Sequence, residues 1–159
     1  MKQVSTLFLK GMIVLIGLFV LTLSIFVLPV IVREMFDVMP VQYELLPILL
    51  TLAGSKIPFY IALYQALKLL NFIDKNKAFS ELSVKSLKII KNCAATIGIL
   101  YTACLPFIYA VAELDDSPGV LAIGLIVIFA SSVIATLTAV LQKLLQNAID
   151  IKTENDLTV

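Results

Sequence analysis

Apolar residues in this chain come in long unbroken runs separated by short polar punctuation. Residues 11–32, 92–112 and 117–142 contain no Asp, Glu, Lys or Arg. A helix needs about 20 mostly apolar residues to cross a hydrocarbon layer about 30 Å thick. All three runs are long enough. A fourth, residues 45–67, qualifies except for Lys56 at its centre. The pattern predicts four membrane-spanning helices, over residues 11–32, 45–67, 92–112 and 118–142. The alternating segments of about ten residues that mark a membrane barrel are missing. The first run exceeds the about 7–15 apolar residues of a signal segment, and no A-x-A follows, so a retained span is expected. The expected fold is all-α, an integral membrane four-helix bundle formed as one domain over residues 1–159.

The ends of the runs predict helices that continue past the bilayer. In Phe79-Ser80-Glu81-Leu82-Ser83-Val84, Ser80 suits an N-cap. Phe79 and Val84 then hold the two places of a hydrophobic staple. Beyond it, Leu82, Leu87, Ile89 and Ile90 are expected on an apolar stripe, with Lys85, Lys88 and Lys91 sharing the opposite face. Span two continues through Leu69, Leu70, Phe72 and Ile73 to a turn at Asp74-Lys75-Asn76-Lys77. Residues 68–91 thus form an amphipathic hairpin. Span four opens with Ser117 as cap and Pro118 at the first helical position. Its far end carries a stripe of Leu141, Leu144, Leu145, Ala148 and Ile149, and residues 152–159 are expected to be a disordered polar tail. Such stripes can pack on one another, lie on lipid headgroups, or form a groove for a partner helix. Two small-residue series, Ser131/Ala135/Ala139 and Ala94/Gly98/Thr102, would let helix backbones approach.

Composition excludes whole classes. The chain is 60% hydrophobic and 14% charged, against about 45–50% and about 25% in soluble domains, so a water-soluble monomer is excluded. A net charge of +1 and two Cys argue against a direct nucleic-acid binder and a disulfide scaffold. The placement of charge predicts orientation. Ten of the twelve basic residues flank one side: Lys2 and Lys10, then Lys68, Lys75, Lys77, Lys85, Lys88 and Lys91, then Lys143 and Lys152. The other side has Arg33 among Glu34, Asp37, Glu44, Glu113, Asp115 and Asp116. Both termini, the hairpin and the helix and tail at 143–159 are therefore expected in the cytoplasm.

Lys56 is the candidate intramembrane polar site, because a charge at such depth is expensive and marks function by default. Two structural alternatives stand beside that. The span could slide to put Lys56 near the outer interface, or Pro58 could open the helix while Lys56 snorkels toward Glu113, Asp115 or Asp116. Cys93 and Cys104 lie on one helix about 16 Å apart, too far to pair, and read as apolar filler. Pro29, Pro47, Pro58 and Pro106 could break or merely kink their spans. With no His, no P-loop and no G-x-S-x-G, no enzyme, metal or cofactor is expected.

Ala66-Leu67-Lys68-Leu69-Leu70, followed by Asp74-Lys75-Asn76-Lys77-Ala78-Phe79-Ser80 within a four-span chain of this length, resembles the YoaS-like family of bacterial membrane proteins. This is a domain-of-unknown-function family. The resemblance implies a multi-pass plasma-membrane protein, mostly of Gram-positive bacteria, and makes a small helix-turn-helix regulator a conceivable cytosolic partner. The favoured expectation is a binding or regulatory protein. Lys75, Lys77, Lys85, Lys88 and Lys91 would contact a cytosolic partner or anionic headgroups, and a homo-oligomer is compatible with this. The alternative is a small transporter or channel component using Lys56 and the Pro-broken spans.

Overall fold

The computed structural model describes residues 2–37, 42–114, 116 and 118–158. They form α1 (Lys2–Asp37), α2 (Gln42–Gly54), α3 (Lys56–Asp74), α4 (Glu81–Leu114) and α5 (Pro118–Thr158). Four stretches are long and apolar enough to cross a membrane: Val4–Val30, Leu46–Asp74, Glu81–Glu113 and Pro118–Leu157. The four expected spans are present, and every one extends past its charge-free run.

Span two is shared by α2 and α3, with the break at Ser55. Pro58 has no N–H to offer the Gly54 carbonyl four residues back, which interrupts the ladder there. The rod still runs on. Ser55 keeps a right-handed backbone (φ −67°, ψ −18°), its N–H reaches the Thr51 carbonyl at 2.9 Å, and Phe59 N–H reaches the Ser55 carbonyl at 3.1 Å. Pro29, Pro47 and Pro106 sit inside α1, α2 and α4.

α4 is the hub. It packs along α5 on one side and against α3 and α2 on the other, while α1 lies on α3 and α2. Among the described residues α1 and α5 have no substantial packing, so the spans form a bent row rather than a closed ring. The α4–α5 seam is made by small residues. A Cβ on Gly98 would lie 3.5 Å from the Ser131 Cβ, and one on Gly124 would lie 3.3 Å from Ile108 Cδ1. Ala94, Cys104, Ile108, Val111 and Ala112 are buried along α4, and Ser131 and Thr138 are buried on α5. The Thr138 hydroxyl donates to its own helix at Ile134 O, 2.6 Å away. In lipid no hydrophobic force draws helices together, so close packing of this kind supplies the association.

At the lysine-rich end the buried face of α4 is Ser83, Val84, Ser86 and Leu87. This corrects the expected stripe, since Leu82 is 51% exposed. Small serines let neighbouring backbones approach, and Ser83 is satisfied by donating to Lys77 O at 3.2 Å. Ser80 caps α4 through its carbonyl, which accepts from Ser83 N–H and Val84 N–H, whereas its hydroxyl turns back to Lys77 O at 2.6 Å. Phe79 stays 62% exposed while Val84 is buried, so the expected staple makes no buried contact. The expected turn after α3 is a Schellman cap. Lys77 N–H bonds Phe72 O and Asn76 N–H bonds Ile73 O, with Asn76 left-handed at φ 59°, a conformation Asn tolerates.

The expected disordered tail is also corrected, because α5 stays helical to Thr158. Extending a formed helix is far easier than nucleating one. Here Thr153 bonds Ile149 O at 2.9 Å, and Lys152 and Asp156 sit four residues apart. Pro118 opens α5 as expected; the Ser117 cap and Asp115 lie outside the described residues.

The seam yields one expected outcome. Gly98→Ala fits the 3.5 Å gap to Ser131 and should leave the melting temperature in detergent unchanged or higher. Gly98→Leu overfills the seam and should destabilise by about 1–3 kcal/mol. Equal stability of the two variants would contradict a close α4–α5 crossing.

Candidate functional site

Lys56 opens α3 directly after the Ser55 break. It lines a cleft of about 520 Å³ to which all five helices contribute, including Ser24 of α1, Ser55 between α2 and α3, Tyr101 of α4 and Val127 of α5. Depth follows from these neighbours. Ser24 lies eight residues before the end of the 11–32 run, and Tyr101 lies nine residues after the start of 92–112. At 1.5 Å per residue, both stand about 12–20 Å from either edge of their runs. Lys56 therefore stands beside residues that are central to two other charge-free runs. Neither Glu113 nor Asp116 lines this cleft. Among the described residues no carboxylate pairs with it.

The polar groups around Lys56 are hydroxyls. Ser55 Oγ, which is buried, donates to Leu52 O at 3.2 Å. It also meets the Tyr101 hydroxyl in a long contact of 3.5 Å. Ser24 donates to its own helix at Val20 O, 2.7 Å away. The rest of the lining is Leu, Val, Ile and Phe. Residue types hinted at this site only through Lys56; Ser24, Ser55 and Tyr101 gave no signal, because Ser and Tyr are ordinary in spans.

Lys75, Lys77, Lys85 and Lys88 are exposed, and Lys91 is half-buried where α4 enters its charge-free run. Lys85 and Lys88 share the face of α4 opposite the buried serines, and Leu82 stands exposed between the two faces. Asp74, which ends α3, is bound from α1: Lys10 Nζ lies 2.7 Å from its carboxylate, and the Thr6 hydroxyl donates to the same group. Gln146 of α5 meanwhile donates to Glu81 at 3.3 Å. The start of α1, the hairpin and the extension of α5 thus meet at one end of the row. The Thr6–Lys10–Asp74 cluster was missed in the sequence, although Thr6 and Lys10 are four apart and Asp74 is the acid nearest the basic turn. Cys93 and Cys104 are buried and unpaired, as their spacing required.

A row of four membrane-length helices with one basic end defines a multi-pass membrane protein. Over residues 37–159 the chain matches the family described as "Protein of unknown function (DUF2975)", and it belongs to that family. It is similar to the "Uncharacterized membrane protein YoaS" of Bacillus subtilis (strain 168), with 55% identity over 160 residues covering 100% of both chains. No solved structure matches.

The cluster on Asp74 makes a testable link between α1 and α3. Lys10→Ala and Asp74→Ala should each lower the melting temperature, and the double variant should fall no further than Asp74→Ala alone. Fully additive losses would show that the pair does not couple.

Proposed function

We propose that this chain is a binding and regulatory protein of the bacterial plasma membrane, with both termini, the hairpin of residues 68–91 and the end of α5 in the cytoplasm. The distribution of Lys and Arg supports the orientation. The gathering of three basic segments at one end of the row agrees with it.

One observation carries the binding role: exposed lysines and exposed large apolar side chains share the hairpin. Lys91, Lys88 and Lys85 lie one, four and seven residues before Asn92. At 1.5 Å per residue that is about 1.5, 6 and 10 Å outside the hydrocarbon, within and just beyond the headgroup layer. Each lysine near an anionic surface is worth about 1 kcal/mol. Phe79 and Leu82, 62% and 51% exposed, stand farther out and suit an apolar stripe on a cytosolic partner. A small helix-turn-helix regulator is one partner of that kind.

The second reading is a transporter or channel component. It is favoured by the position of Lys56 in a cleft shared by every helix, since ionisable residues at mid-depth commonly line solute paths.

The lipid part of the binding role has a direct test. Native mass spectrometry of the chain released from mixed phosphatidylglycerol and phosphatidylcholine bilayers should show retained phosphatidylglycerol. Lys85→Glu/Lys88→Glu/Lys91→Glu should cut that preference at least tenfold while circular dichroism stays unchanged. An undiminished preference in the triple variant would remove lipid contact from the proposal.

A further inference from the structure

The cleft around Lys56 combines a volume, a charge and a depth that together restrict what it could hold. About 520 Å³ lies within the range of small-molecule sites, about 300–1,000 Å³. Its walls are aliphatic and aromatic, with polarity confined to Lys56, the hydroxyls of Ser24, Ser55 and Tyr101, and nearby backbone. A lone ammonium in such surroundings is unfavourable until an anion joins it, and the chain supplies none among the described residues. Depth then selects the anion. The phosphate of a phospholipid stays at the bilayer boundary, about 15 Å from the middle of a 30 Å layer. A ligand whose anionic group reaches Lys56 must therefore be able to bring that group to mid-depth. Among the described residues α1 and α5 do not pack substantially against each other, which leaves that side of the cleft for a chain to enter.

We infer that this cleft binds a long-chain carboxylate of the fatty-acid class, with its chain along the apolar lining and its carboxylate on the Lys56 amine. The Tyr101 hydroxyl, in a long 3.5 Å contact with Ser55 Oγ, turns from it to donate to the second carboxylate oxygen. Ammonium and carboxylate together carry no net charge, so the pair removes the penalty that either would meet alone in hydrocarbon. The site is separate from the hairpin and stands whatever the hairpin binds.

Delipidated full-length chain in detergent is titrated with palmitate, methyl palmitate, a menaquinone and phosphatidylglycerol, and bound molecules are counted by native mass spectrometry. The expected result is one palmitate per chain, with the methyl ester at least tenfold weaker. Lys56→Met should lose at least tenfold in palmitate affinity, Lys56→Arg should stay within about threefold, and Tyr101→Phe should weaken binding several-fold. Equal binding of acid and ester, or displacement of palmitate by menaquinone or phosphatidylglycerol at lower concentration, overturns the assignment. So does palmitate binding that survives Lys56→Met. The comparison of acid with ester on the native chain decides the matter even if a Lys56 variant fails to fold.

Discussion

Where α4 and α5 cross, Gly98 faces Ser131, and a Cβ on Gly98 would stand 3.5 Å from the Ser131 Cβ. In water such a contact would be a detail. In lipid, where the hydrocarbon around a helix is as apolar as the helix itself, close approach of backbones is what holds spans together. The remaining helices are placed by what α4 does next. Its other side receives α3 and α2, and α1 is fastened to α3 by polar contacts. These are Tyr60 donating to Gly17 O at 3.0 Å and the Asp74 carboxylate held by Lys10 and Thr6. Among the described residues, a row assembled in this order does not pack its first span substantially on its last.

The open row gives Lys56 its setting. A lysine at the centre of a span costs about 2.5–3.5 kcal/mol on insertion scales, and a closed apolar bundle would have to exclude it or neutralise it. Here the break at Ser55 and Pro58 turns the start of α3 into a cleft that all five helices line. The hydroxyls of Ser55 and Tyr101 moderate the surroundings without supplying a counter-charge. The two ends of the chain's chemistry are thus distinct: a single cation in the cleft that the helices share, and a crowd of exposed lysines around the turn between α3 and α4.

Run length and charge placement made the spans legible, because bilayer thickness imposes a minimum on apolar runs and loops gather their charges visibly. Helix ends were read less well. Hydrophobicity put Leu82 on the buried stripe of α4, but Ser83 and Ser86 are the buried positions, since close packing favours small side chains over greasy ones. The polar composition of 152–159 suggested disorder; a helix already wound through α5 continued instead. The depth of Lys56 could not be read from its own span, which tolerates sliding by several residues. Only the fold sets Ser24 and Tyr101, each centred in another run, beside Lys56. Likewise no sequence pattern joins Thr6 and Lys10 to Asp74, because that cluster forms across two helices far apart in the chain.

The placement of Lys56 at mid-depth is the claim on which the cleft rests. It is tested most directly by a nitroxide at position 56, in a chain whose Cys93 and Cys104 are replaced by Ala, reconstituted in bilayers. Power saturation with oxygen and a polar relaxant reports its depth, with labels at Ser24 and Tyr101 as internal references. The account predicts one common depth for all three, about 12–20 Å from either edge of the hydrocarbon. A label at 56 reading headgroup depth while the references read mid-depth would contradict it.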